Sequence, residues 1–174
     1  MKLLLFITIS LSSLFLRAQL FPEDWIGSYS GNMILGYVNQ PADTIPIELE
    51  IKTLVEDSVW SHKMIYHSER FGEITKDYLI RIVSKGNRKN YLLDEQNGII
   101  MPRSLMDNCF YGTYEVDGML YMNTLRYLDG KLIFDLYCSP KESVSRNNIE
   151  EEGDLFVVDS YKVTLHQTAV LSRK

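Results

Sequence analysis

Histidine side chains are the first candidates for chemistry in this 174-residue chain, because imidazole can bind a metal ion or haem iron and can transfer protons. His62 shares strand parity with Trp60, Met64 and Tyr66, which predicts that it faces the protein interior. A buried histidine that hydrogen-bonds to a tyrosine is the simpler role, and contact with a bound ligand is the alternative. His67 has the opposite parity and lies at a predicted turn, so the two side chains are not expected to hold one ion.

Neighbouring carboxylates are the second candidates, because paired acids can divide the acid and base roles of a hydrolase. Asp94 and Glu95 are adjacent on a predicted strand and should point to opposite faces, and the Asn97-Gly98 that follows indicates a tight hairpin. The glutamates at residues 150–152 lie in a polar stretch and are expected to be solvated. The motifs G-x-S-x-G and H-E-x-x-H are absent. The sequence therefore predicts no catalytic residue, no metal site, no cofactor and no enzymatic activity.

A third kind of chemistry is ligand binding by inward-facing aromatic and methionine side chains. Aromatic rings and flexible methionines form good walls for apolar ligands, and tyrosine hydroxyls can orient a bound molecule. The residues predicted to line such an interior site are Tyr29, Met33, Trp60, His62, Met64, Tyr78, Phe110, Tyr114, Tyr121 and Phe134. The same side chains would equally fill a packed core, and the sequence does not decide between a cavity and a core.

About ten strands are predicted to position these side chains. The clearest covers residues 44–52, where Ile45, Ile47, Leu49 and Ile51 alternate with polar residues and proline. The others are predicted at residues 25–37, 59–66, 74–84, 90–95, 98–103, 109–116, 119–128, 131–138 and 155–171, the last with a break or bend. Residues 139–153 are predicted to form a polar loop.

Asp-Gly dipeptides at residues 117–118 and 129–130 favour tight hairpins, because such turns need positive φ angles. If both are two-residue loops, Val116 pairs with Met119, and the apolar residues of three successive strands fall on one face. The same register sets Cys109 opposite Arg126 and Cys138 opposite Tyr121, with Cys109 pointing outward. Two cysteines so far apart cannot form a disulfide, so both are expected to be free thiols in or near the sheet.

Successive hairpins with one apolar face have two stable outcomes, a closed barrel or two packed sheets. Short connections in chain order favour the barrel, and inner-face glycines at positions 27 and 31 permit the bend of a closing sheet or mark bulges. The predicted fold class is all-β, an antiparallel up-and-down β-barrel of about 8 to 10 strands.

The first nineteen residues, MKLLLFITISLSSLFLRAQ, have the pattern of a cleaved export signal. Lys2 supplies the positive start, and the apolar run is shorter than the roughly 20 residues of a membrane span. Cleavage is expected after Ala18 or Gln19, which leaves residues 20–174 as a single domain in the periplasm or outside the cell. Without Lys2 and Arg17 the chain has 16 basic and 23 acidic residues, a net charge of −7, which disfavours nucleic acid as a partner.

The string Trp25-Ile-Gly-Ser-Tyr-Ser-Gly31 and the terminal Leu171-Ser-Arg173 resemble the calycin group, the lipocalins and their relatives. The Ala18-Gln19 end of the signal and residues 91–99 (YLLDEQNGI) resemble small exported proteins of unassigned function from Bacteroidetes-type bacteria. The resemblance implies a closed barrel, although Glu23 stands where a lipocalin carries glycine. Residues 165–173 also look similar to the haem-binding strand of nitrobindin-like barrels, but alternation places His166 on the polar face unless a bulge reverses it.

Two functions are left open by these residues. The first is an exported binding module that holds a small apolar or amphipathic molecule inside the barrel, with a mouth formed by residues 38–43 and 67–73. The alternative is a non-enzymatic interaction or inhibitor domain that presents its loops and residues 139–153 to a protein partner.

Overall fold

The computed structural model describes residues 21–174, so the predicted export signal lies outside the described residues. This part of the chain contains strands and no helix. The strands are β1 (Gly27–Tyr37), β2 (Asp43–Ile51), β3 (Thr53–Val55), β4 (Val59–Ser68), β5 (Gly72–Ile82), β6 (Asn90–Asp94), β7 (Ile100–Met106), β8 (Cys109–Val116), β9 (Met119–Leu128), β10 (Lys131–Pro140), β11 (Ser145–Glu151), β12 (Asp154–Ser160) and β13 (Leu165–Arg173).

The strands form a closed antiparallel barrel. The order of hydrogen-bonded neighbours is β2-β1-β13-β10-β9-β8-β7-β6-β5-β4-β3, and an additional pairing of β2 with β4 closes the ring. Since the short β3 only extends the β2–β4 hairpin, ten strands make up the wall. This confirms the predicted up-and-down barrel and excludes the two-sheet alternative.

The register of the Asp-Gly hairpins is confirmed. Val116 pairs with Met119 and Leu128 pairs with Lys131, with φ angles of 48° and 74° at residues 117 and 118. The turn after β6 differs from the prediction, because residues 95–99 form a longer connection in which Gln96, not Asn97, has a positive φ of 60°. Its backbone is held by side chains: the Gln96 N–H donates to Asp94 Oδ1 over 2.7 Å.

Two boundaries predicted from the sequence were wrong. Trp25 lies in the turn before β1, not on the strand. The predicted loop at residues 139–153 contains β11, which pairs with β12 in a separate two-stranded hairpin inserted between β10 and β13. Its polar composition hid this strand, because β11 is exposed on both faces and has no apolar alternation. The bend predicted within residues 155–171 falls between β12 and β13.

Aromatic side chains close one end of the barrel. Phe21 lies with its ring 5.0 Å from Trp60, 5.4 Å from Tyr91 and 4.9 Å from Phe110, each in an edge-to-face arrangement. Trp25 is fully buried beside them. Edge-to-face packing satisfies the ring quadrupoles, so this aromatic plug is a densely packed part of the core.

The two cysteines are free and buried. Their partners across the strands are those predicted, Arg126 for Cys109 and Tyr121 for Cys138. Cys109 was predicted to point outward in or near the barrel wall, and the structure shows that it is fully buried there. Arg126 on the neighbouring strand lies against the Cys109 thiol and Tyr111, and this contact covers the outer face there.

Candidate functional site

The barrel interior contains a cavity of about 100 Å³ between the aromatic plug and the opposite end. Its apolar wall comes from seven strands, β4 to β10. The apolar lining residues are Met64, Ile80, Leu93, Met101, Phe110, Leu125, Phe134 and Leu136, and the polar ones are His62, Tyr66, Tyr78, Glu95, Arg103, Tyr114, Asn123 and Thr124. The barrel therefore has a mixed interior, with an unfilled volume large enough for several water molecules or one small ligand.

Six of the ten residues predicted to line an interior site do line this cavity: His62, Met64, Tyr78, Phe110, Tyr114 and Phe134. The remaining four face inward or lie near the cavity without lining it. Tyr29, Met33 and Trp60 are buried in the packed core, and Tyr121 stacks on Tyr114 with ring centroids 5.2 Å apart. The alternation along each strand predicted correctly which side chains face inward. It does not show where along the barrel axis the packed core ends and the cavity begins. Ligand contact by these residues stays a prediction.

Arg103 is the most consequential lining residue that the sequence analysis missed. It is 7% exposed, and its guanidinium lies 5.8 Å from the centre of the Tyr114 ring. Nη1 donates to the Pro102 carbonyl over 3.1 Å, and none of the ion pairs among residues 21–174 involves this side chain. Burial lowers the pKa of Arg103 from its ordinary value. The site therefore holds a buried cation with no carboxylate bonded to it.

Gly112 provides the space for this guanidinium. A Cβ built on Gly112 would collide with Arg103 Nη1 and Cζ. Asn123 lies on the other side; when its amide nitrogen donates to the Gly112 carbonyl over 3.2 Å, its oxygen accepts from Arg103 Nη2 over 3.3 Å. A glycine at an inward position in mid-strand was the available signal, because it marks a place where another group approaches the backbone.

His62 occupies the buried wall of the cavity, as its parity predicted. The side chain is 9% exposed, its ring stacks on Tyr78 at 6.2 Å, and Nδ1 is buried without a hydrogen-bond partner. Desolvation, with a smaller contribution from the positive charge of Arg103, lowers the pKa of His62 to about 4. The imidazole is therefore neutral at pH 7, with one unsatisfied polar atom.

The tyrosines and Glu95 form the polar part of the cavity. Tyr78 hydrogen-bonds through its hydroxyl to the Glu95 carboxylate, and burial is the main reason that its pKa is raised. Burial also raises the pKa of Tyr66 to about 12. Asn97 Nδ2 donates to Glu95 Oε2 over 3.2 Å, so that carboxylate is held by two donors. Asp94 points to the other face and pairs with Arg81 at 2.9 Å, which confirms the predicted divergence of the two acids.

The cavity lies toward the end opposite the aromatic plug. Strand directions place the connections at residues 38–42, 69–71, 95–99 and 117–118 at that end, and the partly exposed Glu95 belongs to one of them. The two loops predicted to form a mouth lie at this end, and their role as a mouth stays a prediction. The β11–β12 hairpin leaves the barrel there as well, anchored where the Lys141 N–H donates to the Gly118 carbonyl over 2.8 Å.

The other two histidines lie on the outer surface. His67 has Glu48 and Glu73 each at 3.7 Å. His166 stacks on Tyr137 at 4.5 Å and contacts Asp135 Oδ1 at 3.1 Å, so alternation correctly placed it away from the interior. Within residues 21–174 there is no group of three or more histidine, cysteine, aspartate or glutamate side chains that could hold a metal ion, and no helix long and apolar enough to cross a membrane.

We expect the buried His62 to make stability depend on pH. Its pKa is about 4 when folded and 6.5 in the unfolded reference, so between these values the unfolded chain binds more protons. The free energy of unfolding should therefore be highest above pH 6.5 and fall by roughly 3 kcal/mol toward pH 4 through this group. Urea unfolding at pH 4, 5, 6 and 7 should show a shallower dependence in His62→Gln, and identical slopes would contradict the assignment.

The closed ten-stranded meander with an internal cavity defines a calycin-like barrel. One solved structure of this shape is an S-type phycobiliprotein lyase from Guillardia theta, with a TM-score of 0.60 and 7% identity over 87% of this chain and 89% of the lyase. Another is a protein of unknown function from the DUF3598 family of Nostoc punctiforme, with a TM-score of 0.60 and 15% identity over 91% of this chain and 50% of that one. At these identities the likeness shows the fold. No family model and no curated protein matches the chain by sequence.

Proposed function

We propose that this protein is an exported binding module that holds a small apolar or amphipathic molecule inside its barrel. The observation that carries the proposal is the cavity of about 100 Å³, which combines an apolar wall with polar groups left partly unsatisfied. A barrel interior of this width is otherwise filled by side chains, so an unfilled volume next to a buried histidine and a buried arginine fits a ligand better than a packed core.

The size of the cavity limits the ligand. Pockets for drug-sized molecules are roughly 300–1,000 Å³, and an engineered apolar cavity of about 150 Å³ accepts benzene. The present cavity of about 100 Å³ is smaller than that benzene site, so it suits a short branched chain as it stands, and a molecule with one ring fits once the mouth loops move outward. The similarity to a phycobiliprotein lyase is a similarity of fold, and the ligand proposed here is argued from the cavity alone.

Native mass spectrometry of the protein purified from expressing cells tests the proposal. We expect a mass increment corresponding to a small bound molecule, or a rise in melting temperature when small apolar and amphipathic compounds are added, since a ligand that binds only the folded state stabilises it. Protein that is recovered bare and that no compound stabilises would contradict the proposal.

Sequencing the N-terminus of the secreted protein tests export, with cleavage expected after Ala18 or Gln19.

An interaction or inhibitor domain is the second candidate, and the β11–β12 hairpin favours it. The apolar residues of β12, Leu155, Phe156, Val157 and Val158, are all exposed, with Leu155 at 69%. Exposed apolar side chains on a projecting hairpin are typical of a surface that contacts another macromolecule. Loss of partner binding in Leu155→Ser and Phe156→Ser, with ligand binding in the barrel unchanged, would support this candidate.

A further inference from the structure

Arg103 and His62 line the same cavity, and each lacks a partner. The Arg103 guanidinium has no ion-pair partner among residues 21–174, and His62 Nδ1 has no hydrogen-bond partner. The partners of the buried guanidinium are all neutral: Nη1 donates to the Pro102 carbonyl, Nη2 lies 4.0 Å from Met101 Sδ, and the Asn123 oxygen accepts from Nη2 when its amide nitrogen donates to Gly112. No acidic group among residues 21–174 forms an ion pair with it. A buried charge without an opposite charge destabilises the folded protein, and arginine binds a carboxylate with two parallel hydrogen bonds.

Glu95 is the one carboxylate in the cavity lining, and its placement argues against the role of resident counter-ion. It is partly exposed, accepts hydrogen bonds from Tyr78 and Asn97, and makes no ion pair with Arg103. Its charge is felt by Arg103 only as a minor contribution. A second anion can therefore approach the guanidinium, and the donors already bound to Glu95 reduce the repulsion between the two carboxylates.

We propose that the cavity binds a small monocarboxylate with a compact, ring-sized apolar group, with Arg103 pairing to the carboxylate and His62 Nδ1–H donating to it. This inference rests on the proposed function and names its ligand class. The apolar group lies against Met64, Phe110 and Phe134, which offer the flexible and aromatic surfaces that suit a ring. Gly112 has a positioning role, because its missing side chain leaves the space that the guanidinium occupies.

Benzoate and benzamide are the probes that test this inference, because they have the same shape and differ in charge. In titration calorimetry of the full chain at pH 7.5, benzoate should bind at least tenfold more tightly than benzamide. Binding should also raise the pKa of His62 in an NMR titration, because a nearby anion stabilises the imidazolium. The resonances of the outer-surface His67 and His166 should not respond.

Three variants separate the charge of Arg103 from its position. Arg103→Met should weaken benzoate binding at least tenfold and benzamide binding much less, so that the preference for benzoate is lost. Gly112→Ala keeps the charge but displaces the guanidinium, and should weaken benzoate binding several-fold. Arg126→Met is the matched control, because Arg126 lies on the outer face of β9 and its loss should leave both affinities unchanged.

The possible results distinguish failure of the carboxylate assignment from failure of the proposed function. Equal affinity for benzoate and benzamide would overturn the carboxylate assignment and keep the binding-module proposal, because the cavity would still be occupied. Benzoate affinity that survives Arg103→Met would overturn it too, because the guanidinium would then not be the group that holds the carboxylate. If Arg103→Met fails to fold, the comparison of the two probes in the unmodified protein and the Gly112→Ala result still decide. Failure of both probes, together with protein recovered bare, would overturn the inference and the proposed function.

Discussion

Replacing Ile47 with aspartate is expected to prevent folding of the barrel. Ile47 is 1% exposed, and its strand β2 pairs with both β1 and β4, so the residue lies where the ring closes. A carboxylate there would lose its hydration without gaining a partner, at a cost of several kcal/mol out of a typical stability of about 5–15 kcal/mol. Circular dichroism and soluble yield should both report an unfolded or insoluble protein.

Thr44→Asp is the matched control for this prediction. It introduces the same charge on the same strand, but Thr44 is exposed and has the opposite parity. Its effect on the free energy of unfolding should stay within about 0.5 kcal/mol, as for most surface substitutions. Comparable damage from the two aspartates would show that the faces of β2 have been assigned incorrectly.

The second large effect is expected from Gly31→Ala, at the contact between β1 and β13. A Cβ on Gly31 would overlap the carbonyl oxygen of Val170 and would lie 3.1 Å from Leu171 Cδ2. Because the first obstacle is backbone, the strands can only separate, and this weakens the β1–β13 ladder that helps to close the barrel. We expect a loss of about 3 kcal/mol, measured by urea unfolding, at the upper end of overpacking costs.

Gly36→Ala offers a control on the same two strands. The nearest atom to its added Cβ is the His166 carbonyl oxygen at 3.7 Å, which is ordinary van der Waals contact. This substitution should be neutral or slightly stabilising, because alanine reduces the freedom of the unfolded chain. If Gly36→Ala and Gly31→Ala lower the melting temperature equally, the close approach of β13 to Gly31 is not the cause.

The two candidate functions depend on different parts of the molecule: ligand binding depends on the cavity, and protein interaction depends on the β11–β12 hairpin. The binding-module proposal depends on groups inside the ring, such as Arg103, which no surface partner can reach while they are buried. The interaction candidate depends on β12, which lies outside the ring and pairs only with β11. Because the two features share few contacts, their variants should behave additively, and each function can be removed without the other.

Strand content, face and hairpin register could be predicted from the sequence, because each depends on residues close together in the chain. Alternation placed His62 inside and His166 outside, and the Asp-Gly turns set the pairing of β8 with β9 and of β9 with β10. These features follow from the two-residue period of a strand and the positive φ of a tight turn, so no knowledge of distant contacts is needed.

The extent of the cavity and its charged lining were decided only by the tertiary structure. Tyr29, Met33 and Trp60 have the same alternation as Met64 and Phe110, yet the first three are in packed core and the others line a space. The difference is volume, which depends on how side chains from seven strands meet across the barrel. The alternation along a single strand does not give this unfilled volume.

Arg103 shows the same limit for electrostatics. An arginine near a predicted strand end is expected at the surface, since isolated buried charges are costly. It is buried because β7 continues to Met106 and because Gly112 on β8 leaves room for the guanidinium.

The sequence by itself determined which residues face inward, through alternation along each strand. Only the closed barrel decided which of them touch each other and which touch an open space, because that depends on contacts between strands far apart in the chain.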